Sequence, residues 1–313
     1  MSPSQMPAQE SYTLADLKYG KIRDLEPPAK LAVFGDPVAH SLSPQLHNPA
    51  LSAAGIDAQY IRLHISEAEF SEALRTIREL GFFGANCTIP HKFNAIEAMD
   101  EVDELASKLG AVNTVVFEGE KMVGFNSDGP GFVRAVREEF GVDLHDLRVL
   151  ILGAGGGAGR AVATQCAVEG CERLVLVNRT PEKAEALKEE LLPYFADERL
   201  QGAHDRLDAI PWEEGAIASQ IGDIDLIVNA SSRGMKRSDA PLLPAHFLAP
   251  HHLVFDMIYS PPRTRLLADA AAAGGRIANG LSMLLHQGAI SFECWFNREA
   301  PLEAMRAGLR SAL

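Results

Sequence analysis

Val149-Leu150-Ile151-Leu152-Gly153-Ala154-Gly155-Gly156-Gly157-Ala158 carries an apolar run straight into a cluster of glycines. Arg148–Leu152 predicts a buried strand, the residues after the glycines predict a helix to about Glu169, and Arg173–Val177 predicts a second strand. In that context the stretch fits the G-x-G-x-x-A form of the dinucleotide fingerprint. Gly153 permits a tight turn and Gly155 lets the backbone approach a pyrophosphate. Ala158 is small enough for helix and strand to pack closely, and the helix N-terminus offers N–H donors to phosphate. A glycine-rich turn without a ligand is the plainer alternative, and the flanking strands and helix argue against it.

The end of the second strand selects the dinucleotide. An acid there would hold the ribose hydroxyls of NAD, whereas this chain has Asn178-Arg179-Thr180, with Lys183 one turn on. A guanidinium and an ammonium suit a 2′-phosphate, so NADP is favoured. Read without the fingerprint, Arg179 and Lys183 would be ordinary solvated charges.

The same alternation appears on both sides. Upstream, Lys30–Phe34, Tyr60–Ile65 and Phe82–Ile89 predict strands. Ser43-Pro44 predicts an N-cap followed by proline in a helix to Ala54, and Ser66-x-x-Glu69 a capping box opening a helix to Leu80. Such alternation implies parallel strands with helical crossovers. Downstream, Pro181–Leu192 and Thr264–Ala273 predict helices, Asp225–Asn229 and Leu253–Asp256 strands, and Gly280–Phe296 a long helix whose single internal breaker is Gly288. Residues 194–222 give no firm pattern. Residues 1–29, rich in Pro, Ser, Gln and charge, predict a loosely held extension with a helical turn or two near Tyr12–Tyr19.

Composition narrows the class. The chain has 313 residues, 47% hydrophobic, and 29 basic against 42 acidic residues leave a net charge of −13. That length suggests about two domains. An acidic chain with no dense Lys/Arg run is not expected to bind nucleic acid. No apolar run approaches the roughly 18 residues that cross a bilayer, and MSPSQMPAQE lacks the order of a secretory signal. Cys87, Cys166, Cys171 and Cys294 form no CxxC pair, which suggests reduced thiols in a soluble cytoplasmic protein. No pair among His40, His47, His91 and His286 has metal-ligand spacing with a third partner, so no metal is expected.

Three upstream segments are unusually polar for places where strands end. They are Gly35-Asp-Pro-Val-Ala-His40-Ser41-Leu-Ser43-Pro-Gln-Leu-His47-Asn48, Asn86-Cys-Thr88-Ile-Pro-His-Lys92, and Gly110-Ala-Val-Asn113-Thr114 with Gly124-Phe-Asn126-Ser-Asp128. Their hydroxyls, amides, lysine and aspartate suit a small polyhydroxylated acid. With Asn229-Ala-Ser-Ser-Arg-Gly-Met235, Asp256-Met-Ile-Tyr259-Ser-Pro-Pro and Gly280-Leu-Ser-Met-Leu-Leu-His-Gln287-Gly, in this order, the chain from about Lys30 to Phe296 resembles the shikimate dehydrogenase family.

That resemblance implies an α/β protein: an N-terminal α/β substrate-binding domain over 30–126, a Rossmann-type NADP-binding domain over 127–279, and C-terminal helices over 280–313 returning to the first domain. It implies NADPH-dependent reduction of 3-dehydroshikimate to shikimate, with Lys92 and Asp128 as the catalytic pair. A lysine beside an aspartate can protonate the alkoxide left by hydride delivery. Taken singly, Lys92 reads as a surface lysine at a helix start and Asp128 as a cap before Gly129-Pro130. Ser41, Ser43, Thr88, Asn113, Tyr259 and Gln287 match substrate contacts, alongside Lys92 and Asp128. Gln287 also interrupts an apolar helix run, where a buried amide wants partners. Gly153, Ala154, Gly155, Gly156, Gly157, Asn178, Arg179, Thr180, Lys183, Met257 and Gly280 match the cofactor side. The small-molecule substrate is the expected partner, for a monomer or homodimer.

Several positions depart from the family pattern. Cys87 replaces the more usual Val, Ser231-Ser232 the commoner Thr-Ser, and Arg233 follows them. The nearest alternative is a quinate or dual quinate/shikimate dehydrogenase; NAD-preferring members carry an acid where this chain has Asn178-Arg179. A non-catalytic ligand sensor on the same fold would have lost Lys92 or Asp128. A tetrahydrofolate-type dehydrogenase is disfavoured by Ser41, Ser43 and Asp256-x-x-Tyr259.

Overall fold

The computed structural model describes residues 11–195 and 206–312. They form two compact units: residues up to Ser127 together with those from Gly288, and Asp128–Gln287.

The first unit contains β1 (Ser11–Thr13), β2 (Ala29–Gly35), β3 (Gln59–His64), β4 (Gly84–Cys87), β5 (Glu101–Val102), β6 (Thr114–Glu118) and β7 (Lys121–Phe125). Among the described residues they make one seven-stranded sheet in the order β1-β3-β2-β4-β6-β7-β5. β1, β3, β2 and β4 pair in parallel, as the alternation requires, with helices Ser43–Ala53 and Phe70–Glu79 as crossovers. In the latter, Phe70, Ala73, Leu74 and Ile77 form the buried stripe. Ser66 closes its predicted capping box, donating through N and Oγ to Glu69 Oε2 at 3.0 and 2.6 Å. The predicted cap at Ser43 is corrected: the helix begins at Ser43, and Leu42 stands at the cap position with no side-chain bond. The hairpin of β6 and β7, absent from the sequence prediction, turns through Gly119 at φ 63° and makes the β4/β6 and β6/β7 pairings antiparallel, while β5 pairs with β7 in parallel.

Residues 11–29 are no loose extension. β1 pairs with β3 from Ser11↔Arg62 to Thr13↔His64, and Tyr12, Leu14, Leu17 and Ile22 join the core around Phe34, Leu63 and Ile77. Thr13 and Asp16 form a capping box that starts helix Leu14–Lys18. A three-residue strand and a five-residue helix are too short to show a period, and they hold only because β3 offers an edge. Residues 1–10 of the expected extension lie outside the described residues.

Helix Gly280–Phe296 is continuous, and the changeover between units falls within it at Gln287/Gly288. Gly288 breaks nothing: a Cβ there would overlap the Leu46 side chain, so the glycine permits close packing on helix Ser43–Ala53. Helix Leu302–Ser311 lies on the same helix, where Gly308 faces the Gln45 carbonyl.

The second unit contains β8 (Arg148–Leu152), β9 (Arg173–Asn178), β10 (Leu207–Pro211), β11 (Leu226–Asn229), β12 (Leu253–Asp256) and β13 (Arg276–Asn279). All pair in parallel, in the order β10-β9-β8-β11-β12-β13. This 3-2-1-4-5-6 arrangement is the doubly wound dinucleotide-binding topology. Alternate residues serve opposite faces: Val149 and Ile151 pack with Phe132, Val162 and Leu174, while Leu150 and Leu152 pack with Val175, Ile217 and Leu266. β10, helix Glu214–Ile221 and β13 were not legible in the sequence, and part of the unplaced 194–222 segment, 196–205, lies outside the described residues. Among the described residues no helix is long and apolar enough to cross a membrane.

Leu17→Ala tests whether residues 11–29 belong to the core. Leu17 is 1% exposed, so its truncation is expected to cost about 2–5 kcal/mol in urea unfolding. A loss under about 0.5 kcal/mol would restore the loose extension.

Candidate active site

In the second unit, β8 and β11 are neighbours whose chains leave in opposite directions along the sheet, which opens a crevice at their carboxyl ends. The glycine turn lies there. Gly153 has φ 89°, and its N–H and that of Ala154 donate to the Val177 carbonyl at 2.8 and 3.2 Å. Gly156 caps helix Gly157–Val168, whose first N–H groups have no intrahelical acceptor. A Cβ on Gly155 would meet Lys183 Cβ at 2.7 Å and Asn178 Nδ2 at 2.9 Å, so the turn can lie this close to the β9 loop only with glycine. The close helix–strand approach expected at Ala158 falls one residue later. Ala158 is half-buried, whereas Gly159 is buried and a Cβ there would overlap the Gly153 carbonyl. Exposed Gly156 and Gly157 beside unsatisfied N–H donors leave an anion-accepting cradle, and these residues fit a dinucleotide pyrophosphate.

At the end of β9, Asn178 is used internally. Its Oδ1 accepts from Gly155 N at 3.3 Å and its Nδ2 donates to Thr180 O at 2.9 Å. Arg179, Thr180 and Lys183 are exposed, and neither cation forms an ion pair among the described residues. Two uncompensated cations beside the cradle fit a 2′-phosphate.

The rest of this edge is organised by groups to which the sequence assigned no role. Asp256 is fully buried; its Oδ1 accepts from Asn229 Nδ2 at 2.9 Å and Ile258 N at 3.1 Å, and its Oδ2 from Thr264 Oγ1 at 2.5 Å. Asn229 Oδ1 in turn accepts from Ser231 N and Oγ at 3.0 and 2.8 Å. Burial raises the Asp256 carboxyl above its ordinary range, against the pull of these hydrogen bonds. The clamp aims the loops bearing Ser231, Met257 and Tyr259; the latter two are half-buried. Gly280 N donates to Ile258 O at 3.2 Å, and a Cβ on Gly280 would overlap the Met257 carbonyl. Asp128, 7% exposed, heads helix Asp128–Phe140. That helix crosses Gly280–Phe296 at Gly131, where a Cβ would lie 2.7 Å from Gln287 N. Gln287 is half-buried rather than buried, and its Nε2 donates to Leu284 O at 2.9 Å.

In the first unit the predicted residues gather at the carboxyl ends of β2 and β4 and before β6. Ser41 and Ser43 hydroxyls lie 3.2 Å apart. Their turn is held by Arg62, a buried cation that the sequence gave no sign of, which donates to Ser41 O through Nε and Nη2 at 2.9 and 2.6 Å and to Gln45 Oε1 at 2.8 Å. Thr88 N donates to Phe34 O at 2.9 Å, and half-buried Lys92 heads helix Lys92–Glu97, its carbonyl accepting from Val112 N at 2.9 Å.

Behind them lies a buried polar network. Asn86 Oδ1 accepts from Tyr60 Oη at 2.8 Å, and its Nδ2 faces Asn113 O, Thr114 Oγ1 and Ser291 Oγ at 3.0, 3.1 and 3.0 Å. Asn113 Oδ1 accepts from Ser127 N at 2.8 Å, which fixes the amide's orientation, and its Nδ2 donates to Ser127 Oγ at 3.0 Å. One Nδ2 hydrogen is left by that arrangement to offer a ligand oxygen. Ser291 drew no expectation from the sequence; it stands four residues after Gln287 on helix Gly280–Phe296. His47 is wholly buried against Tyr60 and Trp295, and burial drives its pKa down to about 3. Burial likewise pushes the Cys87 thiol up to about 12, leaving an inert small hydrophobe.

Comparison with known proteins follows the same division. Residues 33–115 match the family model for the shikimate dehydrogenase substrate binding domain, residues 134–211 that for shikimate / quinate 5-dehydrogenase, and residues 280–310 that for the shikimate 5'-dehydrogenase C-terminal domain. The chain is 42% identical over 288 residues to the shikimate dehydrogenase (NADP(+)) of Moorella thermoacetica, covering 90% of this chain and 93% of the relative. It is 41% identical over 278 residues to that of Methanopyrus kandleri, covering 88% and 93%. The structure is similar to shikimate 5-dehydrogenase from Thermus thermophilus in complex with NADP(H) and shikimate, with TM-score 0.78 and 36% identity over 91% of this chain and 100% of that one.

The Asp256 clamp carries a pH signature. Because its folded pKa lies above the unfolded one, the folded state loses stability as pH rises from the ordinary aspartate range through the raised value. Asp256→Asn can still accept from Asn229 and Ile258 while donating to Thr264, and is expected to remove that slope. Asp256→Ala strands buried donors at about 1–3 kcal/mol each. Urea unfolding across acid to neutral pH measures both.

Proposed function

The chain belongs to the shikimate dehydrogenase family, and on that premise we propose how its own residues carry the NADP-dependent interconversion of 3-dehydroshikimate and shikimate. The observation that carries the cofactor assignment is the glycine turn at the β8/β11 reversal with two exposed cations at the end of β9, Arg179 and Lys183, which form no ion pair among the described residues. Gly153–Gly157 and the following helix N-terminus would hold the pyrophosphate. Asn178 and Thr180 shape the ribose side, and Met257 and Gly280 line the nicotinamide side. When bound, NADPH supplies the hydride to the substrate ketone.

Lys92 supplies the proton. As the ketone carbon is reduced its oxygen gathers negative charge, and an ammonium at Nζ both stabilises that charge and transfers a proton to it. Asp128 is assigned to accept from a substrate hydroxyl. In the oxidative direction Lys92 takes the proton back. Ser41, Ser43 and Thr88 offer hydroxyls, Asn113 the free hydrogen of its oriented amide, and Tyr259 and Gln287 further hydrogen-bonding groups to the substrate. We place the reaction in the cytoplasm, which the free thiols of Cys87, Cys166 and Cys171 support. The acting species is taken as a monomer or homodimer.

A second reading is dual use of quinate, because the description matched by residues 134–211 names both acids. A pocket that merely tolerates an added hydroxyl discriminates only about a hundredfold.

NADPH oxidation with 3-dehydroshikimate, set beside NADP+ reduction with shikimate and quinate, tests the assignment. Turnover confined to the shikimate couple is expected, and comparable quinate rates would establish the dual enzyme. Lys92→Ala is expected to lower kcat by about 10²–10⁴ while NADPH affinity stays near wild type; surviving turnover would refute the proton donor. Arg179→Ala is expected to weaken NADPH about tenfold and NADH little. Equal weakening of both would remove the 2′-phosphate assignment.

A further inference from the structure

Arg233 has no role in the assignment above. It is exposed and forms no ion pair among the described residues. Yet its surroundings hold it in place. Its carbonyl accepts from Asn229 Nδ2 at 3.2 Å and its N–H donates to Ser231 Oγ at 3.3 Å, so its backbone is an outgrowth of the Asp256 clamp. Its guanidinium lies over the Trp212 ring, 6.0 Å from the centroid. The indole Nε1 donates to Leu242 O at 3.3 Å, which pins the far end of the same loop to the same side chain. Asp239, the acid within that loop, accepts from Gly234 N and Lys236 N at 2.8 and 3.1 Å, and these bonds, with the nearby charges of Lys236 and Arg233, hold its carboxyl below the usual range.

Strand order gives this contact its meaning. Arg233 follows β11 and Trp212 follows β10, and the sheet runs β10-β9-β8-β11. A side chain from the β11 loop that rests on Trp212 therefore spans the width of β8 and β9 near their carboxyl ends, on the face that carries Leu150, Leu152, Val175 and Val177. At about 4.8 Å per strand the loop bridges about 14 Å of sheet edge. The glycine turn and Arg179 lie at those two ends, and the register Pro211↔Asn178 sets Trp212 beside Arg179 along the edge. The aromatic face costs the guanidinium none of its hydrogen-bonding capacity, because the in-plane N–H fork stays free for a planar anion.

We propose that Arg233, presented on Trp212, is a third cation of the 2′-phosphate site and a determinant of the preference for the phosphorylated dinucleotide. The inference rests on the NADP assignment above and adds a residue from the opposite side of the glycine turn. It also places the loop over the edge by means of an arginine–indole contact, which leaves the in-plane N–H fork of the guanidinium available to an anion.

Calorimetric titration with 2′,5′-ADP and with 5′-ADP tests it without turnover. In Arg233→Gln, 2′,5′-ADP is expected to bind about tenfold more weakly, with 5′-ADP changed less than twofold. Arg233→Lys, which keeps the charge without the fork, falls between. Trp212→Leu, with Arg233 intact, lowers the 2′,5′-ADP preference because the guanidinium loses its platform. Unchanged affinity for 2′,5′-ADP in Arg233→Gln, or equal weakening of both ligands, would overturn the inference. Failure of the underlying assignment looks different: the wild-type protein itself would show no preference for 2′,5′-ADP over 5′-ADP.

Discussion

Asp256 accepts from Asn229 and Ile258 through one oxygen and from Thr264 through the other, and each donor belongs to a segment leaving the carboxyl edge of the six-stranded sheet. A buried carboxyl group without such partners would be costly, so the loops have one arrangement that satisfies it and few that do not. The amino edge of the same central strands has a counterpart. Arg148 donates to Asp225 from N, Nε and Nη2 at 2.9, 2.8 and 2.7 Å, and this guanidinium holds the Asp225 carboxyl below its usual range. β11 is thus tied to β8 at its amino end and to β12 at its carboxyl end, and the crevice at the β8/β11 switch point has a fixed wall on which loops can vary.

The first unit reaches rigidity by another route. Its central polar groups are neutral, and they satisfy one another: Tyr60, Asn86, Asn113, Thr114, Ser127 and Ser291 leave few free hydrogens, of which one on Asn113 is directed by the backbone of Ser127. Such a network specifies amide orientation more sharply than packing can, because a flipped amide would set donor against donor. Helix Gly280–Phe296 contributes to both units along its length. Gln287 backs Gly131 in one, while Gly288 receives Leu46 and Ser291 joins the network in the other.

Charge is distributed against the average. The chain carries −13 overall, yet Arg179 and Arg233 stand exposed on loops and Lys183 in the first turn of helix Pro181–Phe195, along one sheet edge. For a highly anionic dinucleotide, local potential at that edge matters more than net charge, since exposed charges beyond about 8–10 Å are largely screened at physiological salt.

The elements that were legible are those whose residues speak in a single period or a single turn. Strand Arg148–Leu152, the positive-φ Gly153, the Ser66 capping box and helix Gly280–Phe296 all stand where the sequence placed them, because each is set by contacts within a few residues. Legible too were the polar segments at strand ends, since hydroxyls and amides do not gather there for packing. What stayed hidden depends on partners far along the chain. Ser11–Thr13 is a strand only because β3 has an open edge, and Arg62 reads as an ordinary strand residue until the Ser41 carbonyl is placed against it. Gly159, not Ala158, meets the Gly153 carbonyl, a matter of helix phase that motif spacing does not resolve. The pairing of Asn229 with Asp256 joins two strands of the sheet, and that of Arg233 with Trp212 joins the segments that follow two strands. Local sequence determined the strands, turns and chemical types at the site. Tertiary structure decided which of those groups are spent on one another and which remain for a ligand, because hydrogen-bond satisfaction in a buried site is settled only when distant segments are brought together.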